Sequence, residues 1–135
     1  MEELCSKLLD LANAKFTNDT EKSNNHQLCE EFDGAFKCKL EDLHETMEAC
    51  NFDKAALCSE INMFLKDSNY DDFCRRIKRC DDDWATAHAE FQILQSRRQG
   101  LINTKIALEQ ACEETDKQLE LALIELDELV NCESQ

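Results

Sequence analysis

Proline is absent from this sequence, and glycine occurs only at Gly34 and Gly100 in 135 residues. Both residue types interrupt helices, proline by removing a donor and clashing with the preceding turn, glycine through backbone entropy. Their scarcity strips the chain of punctuation and points to an all-α fold. It also excludes Gly-rich phosphate loops and nucleophile elbows, which need glycines at set spacings. Basic charge is scarce as well: 15 Lys and Arg stand against 30 Asp and Glu, a formal net charge of −15. The deficit is spread evenly, −8 over residues 1–69 and −7 over residues 70–135. A surface of that sign repels phosphate backbones and anionic headgroups, so nucleic acid and membrane surfaces are not expected partners. No stretch approaches the roughly 20 apolar residues that span a bilayer.

Cysteine is plentiful instead, with nine in the chain. A secreted disulfide framework would show an even count and a signal peptide. Here the count is odd, and Met1-Glu2-Glu3-Leu4-Cys5 has no basic region leading into an apolar run. Free thiols in a reducing compartment are the expectation: cytoplasmic, with the nucleus as an alternative, and not secreted. No C-x-x-C pair occurs, so zinc-knuckle spacing is missing. Cys50, Cys58, Cys80 and Cys112 fall on apolar faces, where a thiol behaves as a small hydrophobe.

The strongest pattern runs from Phe73 to Leu129. Steps of four and three residues pass through Phe73, Ile77, Cys80, Trp84, Ala87, Phe91, Leu94, Arg98 and Leu101. They continue through Lys105, Leu108, Cys112, Thr115, Leu119, Ala122, Leu126 and Leu129. That mean spacing of 3.5 holds one seam on one side of a helix, as in a coiled coil. Only Arg98, Lys105 and Thr115 interrupt it with polar groups. Cations at two core-type positions either meet acidic partners or snorkel to water along their stems. Ile102, Leu123 and Val130 each follow a seam position directly and widen the apolar face toward a bundle of three or four helices.

Upstream the pattern is less regular. Residues 2–16 predict a short helix with Leu4, Leu8, Leu11 or Ala12, and Phe16 on one face. The polar run from Thr17 to Asn25 reads as a flexible linker. From His26 the helical period returns through Leu28, Phe32, Phe36, Leu40, Leu43, Met47 and Cys50. Asn51-Phe52-Asp53 predicts a tight break with Asp53 as helix cap, followed by a helix over residues 54–66. Asp67-Ser68-Asn69 predicts the next break, with Ser68 and Asp71 resembling a capping box. The expected organisation is thus a short helix and linker (1–25), a helical hairpin (26–69), and a long coiled-coil helix with an acidic end (70–135).

Gly100 separates two versions of this all-α architecture. In one, a continuous helix over residues 70–131 reaches about 93 Å at 1.5 Å per residue, far more than the preceding segments would cover. In the other, Arg97-Arg98-Gln99-Gly100 ends one helix and Asn103 or Thr104 caps the next, giving an antiparallel bundle. The heptad phase crosses Gly100 without a skip, and a helical glycine costs only about 1 kcal/mol, so the continuous helix is expected.

Signals for chemistry are weak by comparison. Glu41-x-x-His44 matches half of a carboxylate-bridged di-iron signature, and the second copy is missing. His26 and Cys29 share a helical face without a complementary pair. Arg75, Arg76, Lys78 and Arg79 are followed by Asp81, Asp82 and Asp83, a local neutralisation within one helix. No catalytic residue, metal site or cofactor is expected.

The pattern is similar in kind to the short helical subunits of multi-chain coiled-coil assemblies. Lysosome-related-organelle biogenesis complexes, kinetochore linker complexes and the coiled-coil segments of central-channel nucleoporins are examples. The segment from Trp84 to Leu129 looks like the coiled-coil segments of central-channel nucleoporins in its tryptophan start and acidic-leucine end. The expected function is a non-enzymatic scaffold subunit of such an assembly, of organelle, cytoskeletal, kinetochore or nuclear-pore type. Other helical chains are its expected partners, in a hetero-oligomer rather than a homodimer. The expected interface is Phe73, Ile77, Trp84, Phe91, Leu94, Arg98, Leu101, Ile102, Lys105, Leu108, Leu119, Leu123, Leu126 and Leu129. A self-contained helical bundle serving as adaptor or regulatory module is the alternative. A thiol-based redox or metal-binding protein is a third reading.

Overall fold

A computed structural model of the chain describes residues 1–134. They form three helices: α1 (Glu2–Ser59), α2 (Ile61–Lys66) and α3 (Tyr70–Ser134), with no strand among the described residues. The all-α class and the long heptad-patterned helix are therefore present. α3 runs through Gly100 unbroken, and a Cβ built there meets nothing within 4 Å.

The first half is organised differently from the short helices expected there. α1 is one helix of 58 residues. The Thr17–Asn25 stretch is helical because its polar side chains are used against α3, as described below. The break expected at Asn51-Phe52-Asp53 lies instead at Glu60, where Glu60 N–H donates to the Leu57 carbonyl at 3.1 Å. Asn and Asp cost a helix interior no more than about 0.7 kcal/mol each, which the packing of Cys50, Lys54 and Leu57 on α3 offsets.

The break at Asp67-Ser68-Asn69 is where the sequence placed it, with a different role for Ser68. Its φ is 61°, the left-handed conformation that ends helices. Asn69 N–H donates back to the Phe64 carbonyl at 2.8 Å, and Asp67 N–H donates to Met63 at 3.1 Å. Ser68 thus terminates α2. The first turn of α3 is closed by Phe73 N–H donating to the Asn69 carbonyl at 3.0 Å, so Asn69 occupies the cap position.

The chain divides into two compact units. Unit 1 joins Met1–Glu31 to the chain from Gly100 onward, and unit 2 is Phe32–Gln99. In each, a segment of α1 packs antiparallel on a segment of α3: partners climb along one helix as they descend along the other. Unit 2 buries Phe32, Leu40, Leu43, Met47, Phe73, Ala87 and Leu94. Its turn is closed by aromatic contacts, with Phe64 and Phe73 ring centroids 5.4 Å apart and the Arg76 guanidinium 5.9 Å above Phe64. Unit 1 buries Leu4, Cys112 and Ala122, and with them the polar Asn25.

Candidate functional site

The ladder read from the sequence is the face that α3 turns toward α1. Phe73 and Leu94 are buried, and Ile77, Trp84, Phe91, Leu101, Leu108, Leu119 and Leu126 are half-buried. Ile102 is half-buried beside the seam. Arg98, Lys105, Leu123 and Leu129 are exposed. Most of the stripe assigned to another chain is thus occupied by α1 within each unit, and Leu123 stays outside it.

The segment of α1 that lies on this stripe in unit 1 was not legible as a seam. Leu4, Leu8, Leu11, Lys15, Asn18, Lys22, Asn25 and Cys29 alternate in steps of four and three, with polar residues at four consecutive positions. Those polar positions face the polar interruptions of α3. Asn18 Nδ2 donates to Thr115 Oγ1 at 3.1 Å. Lys15 Nζ reaches Asp116 at 2.6 Å, with Asp19 3.8 Å away. Lys22 and Lys105 line one open groove of about 300 Å³ together with Asp19, Asn25, His26 and Glu109. The spacing alone, continued from Leu4 without regard to polarity, was the signal that could have revealed this.

Asn25, the last of these four polar positions, is buried, 5% exposed. Its amide donates to the Leu101 carbonyl at 3.3 Å, and the Cys29 thiol donates to its Oδ1 at 3.9 Å. A second groove of about 310 Å³ opens on its other side, bordered by Glu21, Leu28, Leu101 and Thr104. In unit 2, Arg98 Nε lies 3.7 Å from Asp33, so one seam cation has an acidic neighbour in the same chain. Lys39–Glu90 at 3.5 Å and Lys54–Asp81 at 2.7 Å bridge the same pair of helices.

The titratable groups that shift do so for structural reasons. The hydrogen bond to Asp116 holds the Lys15 ammonium above its ordinary range, and Asp81 does the same for Lys54. Burial pushes the Cys50 thiol up, with Asp83, Cys80 and Asp53 adding to it. All nine cysteines are free thiols. Cys112 is buried, and its thiol donates to Asp19 at 3.8 Å. His44 Nε2 is engaged with Glu48 at 2.9 Å, and His26 with Glu30 at 3.0 Å. Among the described residues no group of three or more His, Cys, Asp or Glu is placed to hold a metal ion. No helix among them is long and apolar enough to cross a membrane.

Comparison of the chain with protein-family models, curated proteins and solved structures finds no match.

Proposed function

We propose that this chain is a non-enzymatic structural subunit that assembles with helices of other proteins. The observation that carries the reading is what remains uncovered when α1 and α3 have paired. Phe16 and Phe52 are each 74% exposed, Leu121 is 64% exposed, and Leu9, Met63 and Ile93 are similarly open. No large side chain is fully buried among the described residues. A pair of helices has one shared seam, and large aromatic and aliphatic side chains outside it mark surfaces meant for further partners. Partner helices then add to the outside of the paired helices, with the α3 seam already held by α1.

The net charge of −15 favours basic helical partners over nucleic acid. Nine free thiols support a reducing setting, cytoplasmic or nuclear. The assembly is of the organelle, cytoskeletal, kinetochore or nuclear-pore kind. The test is purification of the tagged chain at native abundance, with mass spectrometry of stoichiometric partners and hydrophobic-dye binding by the chain alone. Defined helical partners should co-purify and be lost on Phe16→Asp or Phe52→Asp, and the lone chain should bind dye. A dye-silent, cooperatively unfolding monomer with no stoichiometric partner overturns the proposal. It supports the second reading, a self-contained helical adaptor module, which the internal coverage of the α3 seam favours.

A further inference from the structure

Unit 1 has two flanks, and they differ in chemistry. The contacts Lys15–Asp116 and Asp19–Cys112, and the groove shared by Asp19, His26 and Glu109, place these residues on one flank. Lys15 and Cys112 are seam positions, and Asp19, His26, Glu109 and Asp116 each follow one directly, so the row on that side of each helix can be read from the spacing. On α1 the row begins with Cys5, Leu9, Ala12 and Phe16, all exposed and all apolar, and continues through the polar Asp19, Ser23, His26 and Glu30. On α3 the row is Glu113, Asp116, Glu120, Leu123 and Asp127, also exposed. The flank is therefore an apolar wall on α1 beside an acidic wall on α3. Leu123, 51% exposed, extends the apolar surface onto the acidic side. Of the acids, Asp116 is paired with Lys15, while Glu113, Glu120 and Asp127 recur at heptad spacing along the outer edge.

We propose that this flank is a docking groove for a basic amphipathic helix of another protein, completing a three-helix arrangement in unit 1. The inference rests on the helix-assembly function proposed above and adds the location and the partner's chemistry. A helix laid here puts an apolar stripe against Leu9, Ala12, Phe16 and Leu123. Lys or Arg spaced seven residues apart on its other edge meets Glu113, Glu120 and Asp127. The apolar row of α1 spans residues 5–16, about 18 Å, so three to four turns of partner helix fill it. A second copy of this chain fits poorly. Unit 1 carries sixteen acidic residues against five basic ones, and its Lys15 is already engaged with Asp116. Two such flanks meeting would juxtapose like charges, which costs association.

The test uses the full chain and a labelled 18-residue peptide with a leucine stripe bordered by lysines. One control replaces the lysines by glutamates and another replaces the leucines by serines. Fluorescence anisotropy and circular dichroism should show that only the first peptide binds and becomes helical. The protein variant Leu9→Asp/Phe16→Asp should weaken it at least tenfold although the protein becomes more acidic. Glu113→Lys/Glu120→Lys should weaken it to a similar degree, and Leu121→Asp should leave it unchanged. The substituted positions are exposed, and unchanged melting curves verify folding.

Binding that is indifferent to Leu9→Asp/Phe16→Asp is charge adhesion and overturns the proposal. Equal binding of the glutamate peptide also overturns it, as does a self-dimer in sedimentation that Phe16→Asp dissolves. If peptide binding instead falls only with Phe52→Asp, helix assembly stands and this location fails. A dye-silent monomer blind to every peptide removes both.

Discussion

Asn25 donates from its side-chain amide to the main-chain carbonyl of Leu101 at 3.3 Å, joining α1 to α3 at the one buried polar residue among the described residues of unit 1. A buried asparagine in a coiled-coil seam gives up stability and selects one alignment, because any slip leaves its amide unsatisfied. The grooves on both sides of Asn25 leave room for a branched side chain. Asn25→Leu is therefore expected to raise the unfolding free energy by about 1 kcal/mol in urea titrations. It should also loosen the alignment, seen as doubled amide resonances for residues near Lys15 and Asp116. A variant that is more stable and keeps single resonances shows that the alignment is held elsewhere.

How far the sequence spoke depends on which helix is considered. α3 was legible because its seam is apolar at nearly every step from Phe73 to Leu126, so polarity and spacing agree. The passage through Gly100 followed from the same phase. α1 was not legible from Lys15 to Asn25, since four successive seam positions carry polar side chains whose partners, such as Thr115 and Asp116, lie about 100 residues away in sequence. Local composition there resembles a linker, and only the tertiary pairing makes it a helix. Asn51 and Asp53 misled for a related reason: weak helix propensity yields where packing on a partner continues. The site residues were legible as a stripe. That α1 itself covers most of that stripe was not, because spacing identifies a face and carries nothing about which helix meets it.

Gly34 and Gly100 lie in the interiors of α1 and α3, without positive φ, and an added Cβ meets nothing within 4 Å at either. Their glycines serve no turn and admit no close neighbour. Each Gly→Ala substitution should add about 0.5–1 kcal/mol by lowering the entropy of the unfolded chain and favouring the helix. Urea midpoints of the two single variants measure each effect. A loss of stability at Gly100 would mean that the helix bends there.

Lys15–Asp116 and Lys54–Asp81 make a prediction at alkaline pH. Both lysines are held above their ordinary pKa in the folded chain, chiefly by the hydrogen bonds to these carboxylates. A raised folded-state pKa contributes stability that is complete below the unfolded value of about 10.4 and is lost as pH rises through the folded value. The contribution is small because both pairs are solvent-accessible and screened. It is isolated by comparing the native chain with Asp81→Asn/Asp116→Asn, which removes both partners while leaving thiol and tyrosine titration in place. The gap between their urea midpoints should be present at pH 9, narrow above about pH 10.4, and close at higher pH. High salt at pH 9 should narrow it as well. A gap that widens as pH rises reverses the sign and contradicts the assignment.

Leu101 and Leu121 make the sharpest contrast between the face already covered and the faces left open. Leu101 is half-buried on the seam, with its carbonyl accepting from Asn25, whereas Leu121 is 64% exposed on the side of α3 away from α1. An aspartate at Leu101 must desolvate its charge against α1 or force the two segments apart. Leu101→Asp is expected to cost about 2–3 kcal/mol and to lower the helical signal of the isolated chain. Leu121→Asp should change stability by no more than about 0.5 kcal/mol. Circular dichroism melts of both variants, alone and with stoichiometric partner chains, separate folding from assembly. If Leu101→Asp leaves the isolated chain folded and abolishes only association, the seam is intermolecular and α1 does not hold it in solution. If it unfolds unit 1 without any partner present, α1 is the seam's own occupant, and assembly must use the exposed flanks.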